Sequence, residues 1–198
     1  MAAAATGSLV AVEPLDLLQR TATEYRARLA AVPADRWGDP SVCEGWTVRA
    51  VADHIVGGNR VAVGLLEGLS TDAAIAAAIA ATVDGDAVEL FDETMAAQLS
   101  AFEAPGALER IVHHPSGDIT GAAFAGFRSG DLLLHGWDLA RSTGGDEVLP
   151  ADLAEEIHGF YLPTVDRARA FGIFADSATA VTDDEPIARR LLVLTGRA

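Results

Sequence analysis

The sequence predicts an all-α fold, a single helical-bundle domain, and three observations carry that expectation. Four long stretches repeat apolar residues at steps of three and four. No stretch alternates apolar and polar residues convincingly enough to build a sheet. Prolines, glycines and capping residues stand at the ends of the periodic stretches, where helices begin and stop.

Taken in order, the first helix carries Leu15, Leu18, Ala22, Tyr25, Leu29 and Val32 on one face, with Pro14 in a starting position and Pro33 ending the run. A loop, PADRWGDPSVCEGW, leads to a second helix that Thr47 can cap and that runs to about Gly68. Its apolar row is Val51, Ile55, Gly58, Ala62, Leu65 and Leu69. The segment DAAIAAAIAA reads as a short helix, and a third long one carries Val88, Phe91, Met95, Leu99 and Phe102 before APG breaks it. ERIVHHP reads as a brief extended stretch. The fourth long helix begins near Thr120, continues from Phe124 and Phe127 to Asp131, Leu134 and His135, and stops at TGG. Two more helices are expected, one over about 151–168 interrupted by Pro163 and one over about 185–194 with Gly196 as its stop. The chain thus divides into a flexible tail over 1–11 and one domain over 12–198, its bundle at about 12–145 and its C-terminal helices within about 151–196.

Composition narrows the function. Asp and Glu total 29 against 14 Lys and Arg, a formal net charge of −15. Nucleic acid and anionic membrane surfaces are attracted by basic side chains, so neither is an expected partner. No apolar run approaches the ~20 residues that span a bilayer. The start of the chain lacks the charged opening of a signal peptide, and a single cysteine, Cys43, allows no intrachain disulfide. Both features fit a reducing cytoplasm.

The fourth helix contains GDLLLHGWD, in which Asp131, His135 and Asp138 share one side at spacings of four and three. An Asp-x-x-x-His pair places a carboxylate and an imidazole one turn apart, so both can reach one metal ion. An uncompensated carboxylate in a core costs several kcal/mol, and a divalent cation would compensate the pair at once. A third ligand from a neighbouring helix would be His54, whose other reading is a core-flanking ring satisfied by a carbonyl or paired to Asp53 or Arg49. Two histidines and one carboxylate leave open positions, which suits catalytic zinc or a facial-triad iron; a closed structural site would want four protein ligands.

SVCEGWTVRAVADHIVGGNR, followed much later by FAGFRSGDLLLHGWDLARSTGG, resembles the mycothiol-dependent maleylpyruvate isomerase-like, metal-binding branch of the DinB superfamily, from actinobacteria. The terminal RRLLVLTGR is similar to that branch as well. The resemblance implies a DinB-like four-helix bundle with additional C-terminal helices, and a divalent metal on His54, Asp131 and His135. In those isomerases the acidic ligand is usually glutamate, and Asp131 is a shorter arm. Zinc is the first expectation, with nickel, iron and manganese open. The resemblance further implies a low-molecular-weight thiol such as mycothiol as cofactor, whose thiolate attacks a small electrophilic substrate. Attack on a conjugated cis double bond would give isomerisation; attack on an epoxide or halide would give S-transfer.

Around this centre, Asp138 is read as orienting a ligand histidine or anchoring Arg49 across the helix pair, which makes both supporting residues; a plain interhelical salt bridge is the other reading. Arg128, one turn before Asp131, is the candidate for holding an anionic cofactor or substrate, against a plain exposed position. Trp46 and Trp137 are expected to pack, with lining the pocket as the other reading; His113 and His114 are expected to lie in a loop, with joining the metal as the other reading; and His158 is expected to be solvated. Cys43 is read as a small buried residue with no histidine base beside it. No catalytic acid or base is assigned. The expected function is therefore a metal- and thiol-dependent isomerase or transferase, with a homodimer as the expected assembly. Two alternatives stay open: a non-enzymatic metal-dependent binding protein for a small ligand, and a metal-dependent hydrolase. Asp53 is the one spare acid beside His54, which disfavours hydrolysis.

Overall fold

The computed structural model describes residues 13–81, 85–115, 117–170, 172–177 and 179–197. The tail expected over 1–11 lies outside them. Helix α1 (Pro14–Ala30) begins on its proline, whose missing N–H would be unsatisfied in a first turn anyway. Helix α2 (Val48–Leu66) is capped by the Thr47 hydroxyl, which accepts from the Ala50 amide at 3.1 Å. Leu69, placed in its apolar row, falls beyond the helix and is exposed. Helix α3 (Thr71–Ala80) starts at Ser70, and α4 (Ala87–Glu103) at Asp86, whose carboxylate accepts from Val88 and Glu89. The extended stretch becomes a small antiparallel hairpin, β1 (Ile111–His114) with β2 (Gly117–Thr120), in which Val112 faces Ile119. Helix α5 (Gly121–Thr143) is capped by Thr120 and ended by Gly144 at a positive φ of 74°. Helix α6 (Ala151–Tyr161) passes at Pro163 through a 3₁₀ turn into α7 (Val165–Ala170), and α8 (Ile187–Leu194) closes the chain.

Helices α1, α2, α4 and α5 form the bundle, with α1 packed on α4 and α5 and α2 packed on the same two. The hydrophobic effect explains the core: Leu18, Tyr25, Val51, Ile55, Phe91, Phe102, Phe124 and Leu132 are all 2 % exposed or less. A second core lies on the outer side of α5, where Leu133, Leu134 and Trp137 meet Leu153, Ile157 and Tyr161 of α6 and Leu191 of α8. Helix α5 is therefore apolar on two faces because it is covered on two faces. That outer layer also buries His158, which was expected in solvent; α6 turns this side toward α8. No helix among the described residues is long and apolar enough to cross a membrane.

Close approach at one glycine fixes the turn between α4 and β1 against the start of α5. A Cβ at Gly121 would sit 2.0 Å from the Ala107 carbonyl oxygen, and backbone cannot step aside cheaply. Gly159 on α6 is exposed, with nothing near its missing Cβ. Gly159→Ala should therefore stabilise the protein by about 0.5–1 kcal/mol through helix propensity. Gly121→Ala should instead destabilise it by about 1–3 kcal/mol, as overpacking does. Chemical denaturation of the two variants checks the opposite signs.

Candidate metal centre

Helices α2 and α5 run side by side, and their facing residues build the site. One donor atom each from His54, Asp131 and His135 lies within 4.8 Å of the other two. The imidazoles of His54 and His135 stand edge to face, centroids 4.9 Å apart. Trp46, from the loop before α2, closes one side: its ring lies 5.0 Å from that of His54 and 6.0 Å from that of His135, nearly parallel to the latter at 19°. Trp46 thus lines the site, while Trp137 packs into the outer core as expected.

Each of the three side chains is held from behind. Asp138, 1 % exposed, lies 2.8 Å from His135 Nδ1, which leaves Nε2 as the ring nitrogen free for a ligand role. The charge of Asp138 is met by Arg197, whose Nε and Nη2 donate to its two carboxylate oxygens at 3.0 and 2.9 Å. This corrects the expected pairing of Asp138 with Arg49, which instead donates to Asp53 at 2.7 Å and to the Gly85 carbonyl at 3.0 Å. Burial opposes ionisation of Asp138, yet its hydrogen bond to His135 and the Arg197 charge outweigh that, holding its carboxyl down at about 2.

Asp131 accepts from Arg128 Nη1 at 2.6 Å, leaving the other carboxylate oxygen for a ligand. Arg128 was expected at the surface; it is 4 % exposed, because α2 and α4 cover it. Its Nε donates to Gln98 Oε1, and its Nη2 to Asn59 Oδ1 and the Ile55 carbonyl. Burial works against the Asp131 carboxylate, but Arg128 first, and then His54, His135 and Arg197, hold it below the usual carboxylate range. His54 keeps part of its surface in solvent, yet the protein wall around it removes enough water that burial lowers its pKa to about 4; His135 and Arg128 add to this and Asp131 opposes it. Near neutral pH the ring is uncharged, as a metal ligand must be.

Cys43 approaches the same centre. Its Sγ lies 3.4 Å from Asp138 Oδ2 and 4.0 Å from His135 Nδ1, so a histidine does stand beside it, contrary to the sequence reading. Cys43, His135 and Asp138 form a second group of donors within 4.8 Å. It fits a metal less well. Burial, followed by the charge of Asp138, pushes the Cys43 thiol up to about 12, and both Asp138 oxygens already accept from Arg197.

His113 pairs with Asp118 at the surface, 2.7 Å away. His114 stacks on Phe127 at 9° and lines the cavity that holds His54 and Asp131. The sequence reading favoured packing for Trp46 and a loop position for His114, and it missed the role of Arg197. The signal for Arg197 there is slight, the single cation directly after the Gly196 helix stop.

The family model of the mycothiol maleylpyruvate isomerase N-terminal domain matches residues 18–140. Two uncharacterized proteins of Mycobacterium tuberculosis, from different strains, are each 35% identical over 145 residues, 73% of this chain and 75% of the relative. A crystal structure of the mycothiol-dependent maleylpyruvate isomerase superposes with a TM-score of 0.66 at 19% identity, covering 94% of this chain and 89% of that one. A point variant of that isomerase gives the same TM-score at 18% identity. At such identity the likeness is one of fold.

The Asp138–Arg197 pair yields a prediction for metal-free protein. Arg197→Ala leaves a buried carboxylate with one partner fewer and should cost about 3 kcal/mol. The carboxyl of Asp138 sits at about 2, below its usual 3.8, so the stability it contributes is present above pH 3.8 and lost as the pH falls through 2. At roughly 1.4 kcal/mol per tenfold change in proton affinity, that contribution is about 2 kcal/mol. Unfolding measured across this window should show a flatter acid limb for Asp138→Asn than for the unmodified protein.

Proposed function

Since the chain belongs to the mycothiol maleylpyruvate isomerase N-terminal domain family, we propose that it is a thiol-dependent enzyme whose divalent metal is held by His54, Asp131 and His135. The observation that carries this reading is the convergence of two imidazoles and one carboxylate, contributed by two helices, at the wall of an open cavity. The donor set fits a divalent cation of borderline softness such as zinc, and three protein ligands leave coordination open, as catalytic sites do.

A divalent ion bound there would supply the positive charge that keeps a thiol ionised near neutral pH. The chain's own residues do the rest. Asp138 fixes the His135 ring, and Arg128 fixes the Asp131 carboxylate, so both ligand atoms are set before anything binds. Trp46 covers the imidazoles and narrows access by water on that side. A thiolate delivered to this centre forms a carbon–sulfur bond to one end of a conjugated cis double bond while the π pair moves onto the neighbouring carbonyl. Rotation about the resulting single bond and departure of the same sulfur give the trans product and return the thiolate, with nothing consumed. With a halide, the sulfur would stay on carbon and the halide ion would leave; with an epoxide, one carbon–oxygen bond would open and the oxygen, kept on the neighbouring carbon, would take up a proton; both are S-transfer.

Elemental analysis of protein purified without a chelating tag should find about one divalent ion per chain, and His135→Ala should remove it, because two ligands hold a cation poorly. Asp138→Asn should weaken metal affinity about 10–100-fold. His113→Ala, at the exposed hairpin, should retain the metal. Unchanged metal content in His135→Ala would end the assignment. Metal-loaded protein with a low-molecular-weight thiol should consume a cis-enoyl compound faster than metal-free protein does, with a rate that levels off below the pH where the free thiol ionises. Binding of the thiol without turnover of any electrophile would favour a holding protein; ester hydrolysis without thiol would favour a hydrolase.

A further inference from the structure

Two chambers meet at the candidate metal centre. His54, Asp131, His114 and Phe127 border both of them. The larger, about 770 Å³, lies between the Cys43–Trp46 loop and the C-terminal segment that carries Arg197. The smaller, about 460 Å³, lies between α2, α3, the β1 end and α5, and its volume suits a small molecule.

The smaller chamber has an apolar wall made by Val61, Ile75, Ala78, Ile79, Phe124 and Phe127. Its charged groups are compensated within the protein. Asp53 is paired with Arg49 at 2.7 Å, and Asp131 with Arg128 at 2.6 Å. The Arg128 guanidinium lies flat over α2, where a Cβ at Gly58 would be 2.4 Å from its Nη1, and it is further engaged by Gln98, Asn59 and the Ile55 carbonyl. Among the described residues lining this chamber, Arg128 is the one arginine or lysine, and it is already committed. A carboxylate entering here would lose water and gain no cation from the chain, a costly exchange. An uncharged apolar molecule would instead gain from the surface it buries.

We infer that the smaller chamber holds the electrophile and that this electrophile is uncharged and apolar. The larger chamber, bordered by Cys43, Glu44, Asp138 and Arg197, is left to the thiol. The assignment rests on the thiol-dependent reading of the site for its chemistry, whereas its binding selectivity stands on the chamber alone.

The test is a graded series on one cis-enoyl skeleton, dibutyl maleate, monobutyl maleate and maleate, with binding followed by ligand-observed NMR in the absence of thiol. Each measurement is repeated after chelation, so that carboxylate coordination to a metal is separated from binding to the protein. The diester should bind, the monoester at least tenfold more weakly, and maleate not detectably after chelation. Gly57 lines the chamber and a Cβ there would meet nothing within 4 Å, so Gly57→Leu adds bulk to the chamber and should weaken the diester at least tenfold. Ile79 is 79% exposed at the chamber mouth, and Ile79→Lys should shift selectivity at least fivefold toward the monoester. Equal or tighter binding of the charged members, no binding of the diester, or a diester affinity unmoved in a folded Gly57→Leu variant would overturn the assignment. Failure of the enzyme reading looks different: the diester would still occupy the chamber, while metal-loaded protein with thiol would turn over none of the series.

Discussion

Burial of α5 on two faces is the constraint from which the site follows. The bundle takes one face of this helix and the α6–α8 layer takes another. Arg128 and Asp138 are therefore buried and Asp131 half-buried, where an unpaired charge is costly. Each has been given a partner: Asp131 holds Arg128, and Arg197 with His135 holds Asp138. The compensation is local and almost complete. What it leaves over is a donor atom from each of Asp131, His54 and His135, within 4.8 Å of one another.

Compensation also immobilises. A side chain fixed by charge-assisted hydrogen bonds loses little further freedom on binding a ligand, so the donor atoms are placed in advance. The Arg197 pair ties the last described residue of the chain to α5, which makes the C-terminal segment a wall of the larger chamber. The same interaction that balances a buried aspartate thereby shapes the space beside the candidate metal centre. Cys43, although near, is kept protonated by burial and by Asp138, which makes it a poor rival ligand.

The helices were legible because their signals are local. Pro14, Thr47 and Thr120 mark starts and Gly144 a stop, and each acts through a neighbouring turn. The candidate ligand trio was legible in part, since a four-residue spacing places Asp131 and His135 on one face whatever surrounds them. The surroundings were not legible. A helical wheel cannot reveal that a second layer will cover the outer face, so Arg128 and His158 were expected in solvent and are buried. Arg197 lies 59 residues from Asp138 in sequence, and no spacing rule links them. The loop that brings Cys43 and Trp46 onto His135 is held by irregular hydrogen bonds, such as the Ser41 amide to the Trp46 carbonyl at 2.8 Å, which have no period to read.

The central claim is that two imidazoles and one carboxylate, and no sulfur of the chain, hold a divalent ion. X-ray absorption at the edge of the bound metal, recorded on thiol-free protein, tests it most directly. The account predicts scattering from two imidazole rings with the remaining shell filled by oxygen. A sulfur neighbour, which would place Cys43 on the ion, or a shell without imidazole, would contradict it.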